Sequence, residues 1–358
     1  MSPNNPVAIY PLLKQQTRRY FEKKGIHSHA NGGFWMKPGI FASFMVGGYF
    51  LLLNFGKQHL AMAFLYYFIF FLGITLLVVN VAHDASHRAV SSKAWINRLL
   101  SYSWNLLGIS KILWELKHHH SHHIYTNIAY KDTDIAESPL LRLHSEYPYR
   151  AYYRFQHLYA PVLYLLFGIY IVYVKDFVLF AQLSNNANTK HKLEGFSPIK
   201  LILTKIIFLT FTYLIPMLVL PYAWWQTLLL YFSCMGICGA MMLLVLAVPH
   251  INEAAEKENH DTQVHNQNEW ALLQIHSTVD SSTNSQVLHW LSGGLNTHLV
   301  HHLFPNICHV HYIPLTRIIQ QSLMEQGITY QEKSFGASLV SHFKYLKFLG
   351  ERRAQGGG

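Results

Sequence analysis

Charge is scarce in this chain. Asp, Glu, Lys and Arg make up 13% of its 358 residues, against roughly a quarter in a typical soluble domain. A surface facing water on every side is therefore excluded. Acidic residues are the scarcer sign, 18 against 28 basic ones, and the net charge is +10 with histidine neutral. Cysteine is nearly missing. Cys234, Cys238 and Cys308 cannot build a disulfide framework, and nothing demands an oxidising compartment. Cys234 and Cys238 stand four apart in an apolar run, where small packing residues are expected. No helix-turn-helix or zinc-finger pattern accompanies the positive charge, so no nucleic acid is expected as partner. The opening MSPNNPVAIY turns basic at Lys14, Arg18, Arg19, Lys23 and Lys24 without the apolar core of a signal peptide. The closing AQGGG reads as a tail.

Apolar and aromatic residues fill the space that charge leaves. They reach 51% and 15%, and the mean hydropathy is +0.14. A membrane-crossing helix needs about 20 apolar residues. Five segments qualify: 39–55, 60–82, 158–180, 201–221 and 224–248. The link NFGKQH holds one lysine and PYAWW none, whereas the N-terminal arm, the stretch 83–157 and the C-terminal part are rich in Lys and Arg. Basic loops stay cytoplasmic and tight links face outward, against an anionic inner leaflet. For residues 123 and 298 to share one face, an even number of crossings must separate them. The hairpin 201–221/224–248 supplies two, so 158–180 is expected to be interfacial. The expected fold is all-α and integral to the membrane, a single domain over 1–358. It has four transmembrane helices at 39–55, 60–82, 201–221 and 224–248, and a cytoplasmic helical cap at 83–157 and 249–340. Both termini are expected in the cytoplasm.

Histidine is abundant, with 24 in all, and it clusters where the cap is expected. The clusters are HDASH (His83, His87), KHHHSHH (His118, His119, His120, His122, His123) and HLVHH (His298, His301, His302). On a helix, positions three or four apart share a face, so each cluster can aim two imidazoles at one point. Adjacent histidines, such as 122/123 and 301/302, diverge by about 100° and suit two neighbouring ions better than one. Imidazole suits iron, zinc, copper and nickel. Structural zinc takes four ligands, usually with cysteine, and the HExxH of a zinc protease is missing because Asp84 follows His83. Many histidines with few carboxylates favour redox iron and oxygen chemistry in a di-metal centre. The isolated His27, His29, His59, His144, His157, His191, His260 and His265 are expected at the surface or in structural roles. A histidine-rich metal transporter would need ionisable residues inside the spans, and the spans hold almost none.

The segments HDASHRAVSSKAWIN, WELKHHHSHHIYTN and GGLNTHLVHHLFPNICHVHY resemble the three histidine boxes of membrane fatty-acid desaturases, most closely the bacterial linoleoyl-CoA or front-end type. The resemblance runs from about residue 35 to 325, and GGLN with HHLFP is its most specific part. It implies a cytoplasm-facing di-iron centre above four spans. Carried over box by box, it implies the ligands His83 and His87, then His118, His122 and His123, then His298, His301 and His302. His119 stands where the second box of this type has asparagine, so His118 and His119 both remain candidates. His298 stands where front-end enzymes have glutamine, which weakens any inference about the carbon attacked. Related enzymes draw one more histidine from the end of the last span, and His250 in LAVPHINEA matches. His276 and His289 are lesser candidates, and His309 and His311 read as outer or structural residues. Asp84, Trp114, His119, Asn127, Asp132, Asp134 and Asn296 are candidates for bonds to the ligand histidines.

The implied reaction is O2-dependent desaturation, with two iron ions as cofactor and an acyl-CoA or acyl lipid as substrate. It places a cis double bond where two neighbouring methylenes stood. The haem-binding HPGG of a fused cytochrome b5 domain is missing from the chain, so a separate ferredoxin or cytochrome b5 is expected to supply electrons at the basic face. The expected location is the bacterial inner membrane. Acyl hydroxylases and carotenoid hydroxylases or ketolases share the three-box arrangement and remain the alternative.

Overall fold

The computed structural model describes residues 8–185, 191–193, 196–255 and 264–351. His260, the tail AQGGG, the first residues of the opening segment and part of the loop after residue 185 lie outside the described residues. The described residues are mostly helical, with almost no strand. In chain order the helices are α1 (Ile9–Lys24), α2 (Gly32–Phe55), α3 (Leu60–Ser86), α4 (Ala94–Ser101), α5 (Ser103–Leu106), α6 (Lys111–Lys117) and α7 (Ala151–Asn185). Then follow α8 (Pro198–Val219), α9 (Trp224–Ala247), α10 (Gln267–His276), α11 (Gln286–Ser292), α12 (His298–Leu303), α13 (Tyr312–Glu325) and α14 (Phe335–Glu351). Two short strands, β1 (Asp280–Ser281) and β2 (Glu332–Lys333), pair in parallel.

Five helices, α2, α3, α7, α8 and α9, are long and apolar enough to cross a membrane by length and composition. The segment read as interfacial, 158–180, lies inside α7, which is 35 residues long. α2 begins earlier than the apolar run suggests because Asn31 caps it, its side chain accepting from Phe34 N at 3.1 Å. α3 runs past residue 82 and carries His83 on its last turn.

The chain divides into two compact units. The apolar unit comprises the described residues of Asn31–His118 and Pro161–Leu244. Its α2 and α3 pack backbone against backbone. A Cβ on Gly48 would sit 2.6 Å from Phe70 N, and one on Gly73 would sit 2.4 Å from Met45 N. Small residues permit such approach, which apolar solvent alone does not drive. Three buried ionisable residues inside these helices, Lys37, Asp176 and Lys205, have polar partners, a feature the sequence did not reveal. Lys37 Nζ donates to Asn80 Oδ1 at 2.8 Å. Lys205 Nζ meets Asp176 Oδ2 at 2.5 Å, and the same oxygen accepts from Ser110 N at 2.8 Å. Ser110 caps α6, so this pair ties α7 and α8 to the start of that helix.

The histidine-rich unit comprises the described residues of Met1–Ala30, His119–Ala160 and Val245–Gly358. Its core joins Ile9 and Leu13 of α1 to Ala271 and Ile275 of α10, Leu299, Val300 and Leu303 of α12, and Leu315, Ile319 and Leu323 of α13. Arg142 is buried and satisfied by carbonyls, donating to Tyr147 O at 2.7 Å and Leu349 O at 3.0 Å. Asp280 accepts from Leu299 N at 2.8 Å and from Tyr330 Oη at 2.5 Å. This fixes the first turn of α12, and burial pushes the Asp280 carboxyl up to about 7.

Candidate metal centre

Each unit gathers histidines. In the apolar unit, α3 widens into a single π-helical turn over Val78–Ala82 and then delivers His83, with His87 one turn later. Such wide turns recur at functional sites. His118 follows α6 directly. The rings of His83, His87 and His118 lie 5.1–5.3 Å apart between centroids, and their ligand atoms fall within 4.8 Å of one another. Trp114 stacks on His118 at 4.4 Å and Trp104 on Trp114 at 3.9 Å, so an aromatic stack backs the third imidazole. Asp84 Oδ1 is 3.9 Å from His83 Nδ1, too long for a hydrogen bond. His119 is half-buried and, among the described residues, joins none of the groups.

In the histidine-rich unit, His122, His250, His298 and His302 bring their ligand atoms within 4.8 Å of one another, and all four are buried. His123, His301 and His302 form a second such group. Adjacent histidines diverge as their spacing requires: the ring planes of His122 and His123 are inclined by 76°, those of His301 and His302 by 85°.

Five of these histidines, His122, His250, His298, His301 and His302, turn Nδ1 toward a polar partner. His302 Nδ1 donates to Gln274 Oε1 at 2.8 Å. His250 Nδ1 donates to Ser277 O at 3.1 Å and His298 Nδ1 to Leu295 O at 3.2 Å. His122 Nδ1 faces the Asp132 carboxylate at 3.1 Å, and His301 Nδ1 lies 3.4 Å from Tyr312 Oη. A proton fixed on Nδ1 leaves the lone pair on Nε2, which is how metal-binding imidazoles are oriented. The Nε2 atoms of His250 and His302 are buried without a hydrogen-bond partner. Such atoms are costly unless something accepts them. Burial, and then the nearby His122, pushes His250 down to about 3. Burial followed by the neighbouring histidines, His123 first, pushes His302 well below its usual value. Both rings are therefore neutral, as metal binding needs. All-nitrogen donor sets of this kind fit iron, copper, nickel or zinc.

The fatty acid desaturase family model matches residues 57–334, most of the chain and every histidine of these groups. The chain belongs to the fatty acid desaturase family. It is an oxidoreductase. Among its relatives, the sn-1 linoleoyl-lipid 6-desaturase of Synechocystis sp. is 29% identical over 95% of both chains. That of Arthrospira platensis is 29% identical over 94% of this chain and 90% of the relative. A probable Delta(5) fatty acid desaturase C of Dictyostelium discoideum is 29% identical over 96% of this chain and 76% of the relative.

The remaining predicted residues of this desaturase fall into place unevenly. Asn127 donates from Nδ2 to His250 O at 2.8 Å and from its backbone to Asp132 Oδ2 at 3.0 Å. Asp132 also accepts from Asp134 N at 2.9 Å. Asn296 bonds Ser282 O and the Ser292 hydroxyl. His276 and His289 join none of the groups; His289 Nε2 donates to His309 O at 3.0 Å and His311 Nε2 to His29 O at 2.9 Å, tying loops together. Gln274, Thr126, Ser277, Leu295 and Tyr312 escaped sequence reasoning. Four of these act through a carbonyl or hydroxyl that no spacing rule marks: Ser277 and Leu295 through their carbonyls, Tyr312 and Thr126 through their hydroxyls. Gln274 is a polar residue on a mixed helix, common everywhere.

Proposed function

We propose that this desaturase uses dioxygen and two irons to place a cis double bond in an acyl chain carried by a membrane lipid. The observation that carries the metal reading is the buried set His122, His250, His298 and His302, with outer nitrogens bonded and the Nε2 atoms of His250 and His302 committed to nothing else. His83, His87, His118, His123 and His301 complete the nine ligands of this reading. Bound iron supplies the one chemistry that side chains lack, removal of hydrogen from an unactivated methylene with dioxygen as oxidant. The protein's own residues do the rest. Asp132, Gln274, Ser277 and Leu295 hold imidazoles in the metal-facing tautomer. The Trp104–Trp114 stack keeps His118 from rotating.

The acyl-lipid substrate and the front-end position rest on the names of the Synechocystis and Arthrospira relatives. The topology of this reading has four crossings, α2, α3, α8 and α9, with α7 along the interface. The histidines face the cytoplasm of a bacterial inner membrane, because the basic segments flank them. A separate ferredoxin or cytochrome b5 supplies the electrons.

The test is a double-bond-resolved fatty-acid profile of a bacterium fed linoleate and expressing the chain or its His302→Ala variant. A new acid unsaturated between the existing double bond and the carboxyl, missing in the variant, is the expected result. A hydroxylated acid would replace this reading with the hydroxylase one.

A further inference from the structure

The proposed reaction draws its electrons from a carrier protein, and one place in the histidine-rich unit joins a charged face to a bonded route toward a histidine of the proposed site. α1 turns Ile9, Leu13 and Thr17 inward and leaves Lys14, Arg18, Arg19, Lys23 and Lys24 exposed. Glu22 is its sole acid and pairs with Arg18 at 2.6 Å. At the start of the same helix, Tyr10 meets Trp270 edge-on at 5.3 Å and stacks over Phe304 at 6.1 Å. Tyr10 N donates to Asn268 Oδ1 at 3.2 Å, which fixes α1 to α10. The half-buried Trp270 donates its indole N–H to the carbonyl of His123 at 2.9 Å. One turn along α10, Gln274 Nε2 reaches that same carbonyl at 3.5 Å while its oxygen holds His302.

We propose that α1 is the docking site of an acidic one-electron carrier protein and that Trp270 is the entry point for its electrons toward His123. The proposal rests on the di-iron desaturase reading. The reaction balances as CH2–CH2 plus O2, two electrons and two protons giving CH=CH and two waters. The acyl chain supplies the other two electrons that dioxygen needs. The reduced carrier is oxidised by one electron per visit, so two visits serve each double bond. Opposite charge speeds such encounters more than it deepens affinity, which suits a partner that must leave. A lipid headgroup would also meet the charged face, yet it has no use for an indole bonded to the backbone of a ligand histidine.

The experiment measures desaturated product from the purified, iron-loaded protein in detergent, with an acidic [2Fe–2S] ferredoxin, its reductase and NADPH. Donor concentration and salt are varied. The double variant Lys14→Glu/Arg19→Glu raises the donor KM about tenfold while moving kcat less, and it flattens the fall of kcat/KM with salt. Trp270→Phe keeps the ring without the N–H; it lowers kcat several-fold with donor KM and iron content unchanged. Lys344→Glu on α14, the surface-charge control, leaves the donor KM as it was. An unchanged donor KM in the α1 variant overturns the docking site. So does an equal rise for Lys344→Glu, or an α1 variant altered only in binding to vesicles of anionic lipid. An unchanged kcat in Trp270→Phe overturns the entry role. If the wild-type protein forms no product, the desaturase reading fails instead, which is a separate result.

Discussion

His302 is held through Nδ1, and Gln274 determines which ring nitrogen faces the other histidines. Replacing Gln274 by Leu removes the acceptor at 2.8 Å and frees the tautomer. Iron affinity should fall by roughly 10- to 100-fold, the usual cost of losing an outer hydrogen bond to a ligand. Gln274→Glu, which keeps an acceptor, should retain most of it. Iron retained after dialysis against graded chelator measures both. A second histidine carries a stability effect rather than a metal. His342 Nδ1 donates to Ile251 O at 2.8 Å, and burial pushes the ring down to about 4. In the unfolded chain the same group titrates near about 6.5. The folded form resists the proton, so its contribution is complete above the unfolded value and is lost as pH falls from about 6.5 toward 4. His342→Asn keeps a donor without titrating. Its thermal midpoint in detergent should fall less steeply than the wild type's across that window, and equal slopes would refute the assignment.

At the scale of elements, the α2–α3 hairpin shows how little separates a tolerated glycine from a required one. A Cβ on Gly47 meets nothing within 4 Å, whereas one on its neighbour Gly48 would press into the backbone of Phe70. Gly48→Ala should therefore lower stability by about 1–3 kcal/mol, the usual cost of overpacking. Gly47→Ala should be neutral or slightly stabilising, since alanine is the better helix former. Thermal unfolding of both variants in one detergent checks the contrast. The sequence shows two adjacent glycines and cannot rank them, because the neighbour that decides comes from another helix. The buried Asp176–Lys205 pair was hidden for the same reason. Each residue reads alone as a flaw in an apolar run, and only the path of the chain brings them to 2.5 Å.

For the molecule as a whole, the metal is expected to be a stabiliser as well as a reagent. Ligands held neutral in a dry interior gain a partner on binding, and free metal at a hundredfold excess over Kd adds about 2.7 kcal/mol. Stripped protein should thus melt earlier, and ferrous iron should restore both the melting temperature and product formation. Zinc should restore the melting temperature alone, because it binds imidazole yet has no redox chemistry. An unchanged melting temperature on adding either ion would count against the proposed set of nine histidine ligands. Acid should weaken binding, since protons compete for the same nitrogens.

The sequence by itself determined the class: a chain too poor in charge for water, rich in helix-length apolar runs, with histidines at spacings that put them on shared faces. Those are local properties, legible because helical geometry converts spacing into direction. Tertiary structure decided what spacing leaves open. It placed His118 rather than His119 with His83 and His87, and it gave His302 a glutamine, His250 a carbonyl and His122 a carboxylate. It also made a basic N-terminal segment into a helix seated on Trp270. These contacts join residues far apart in the chain. Their existence depends on how helices pack, which no single stretch of sequence encodes.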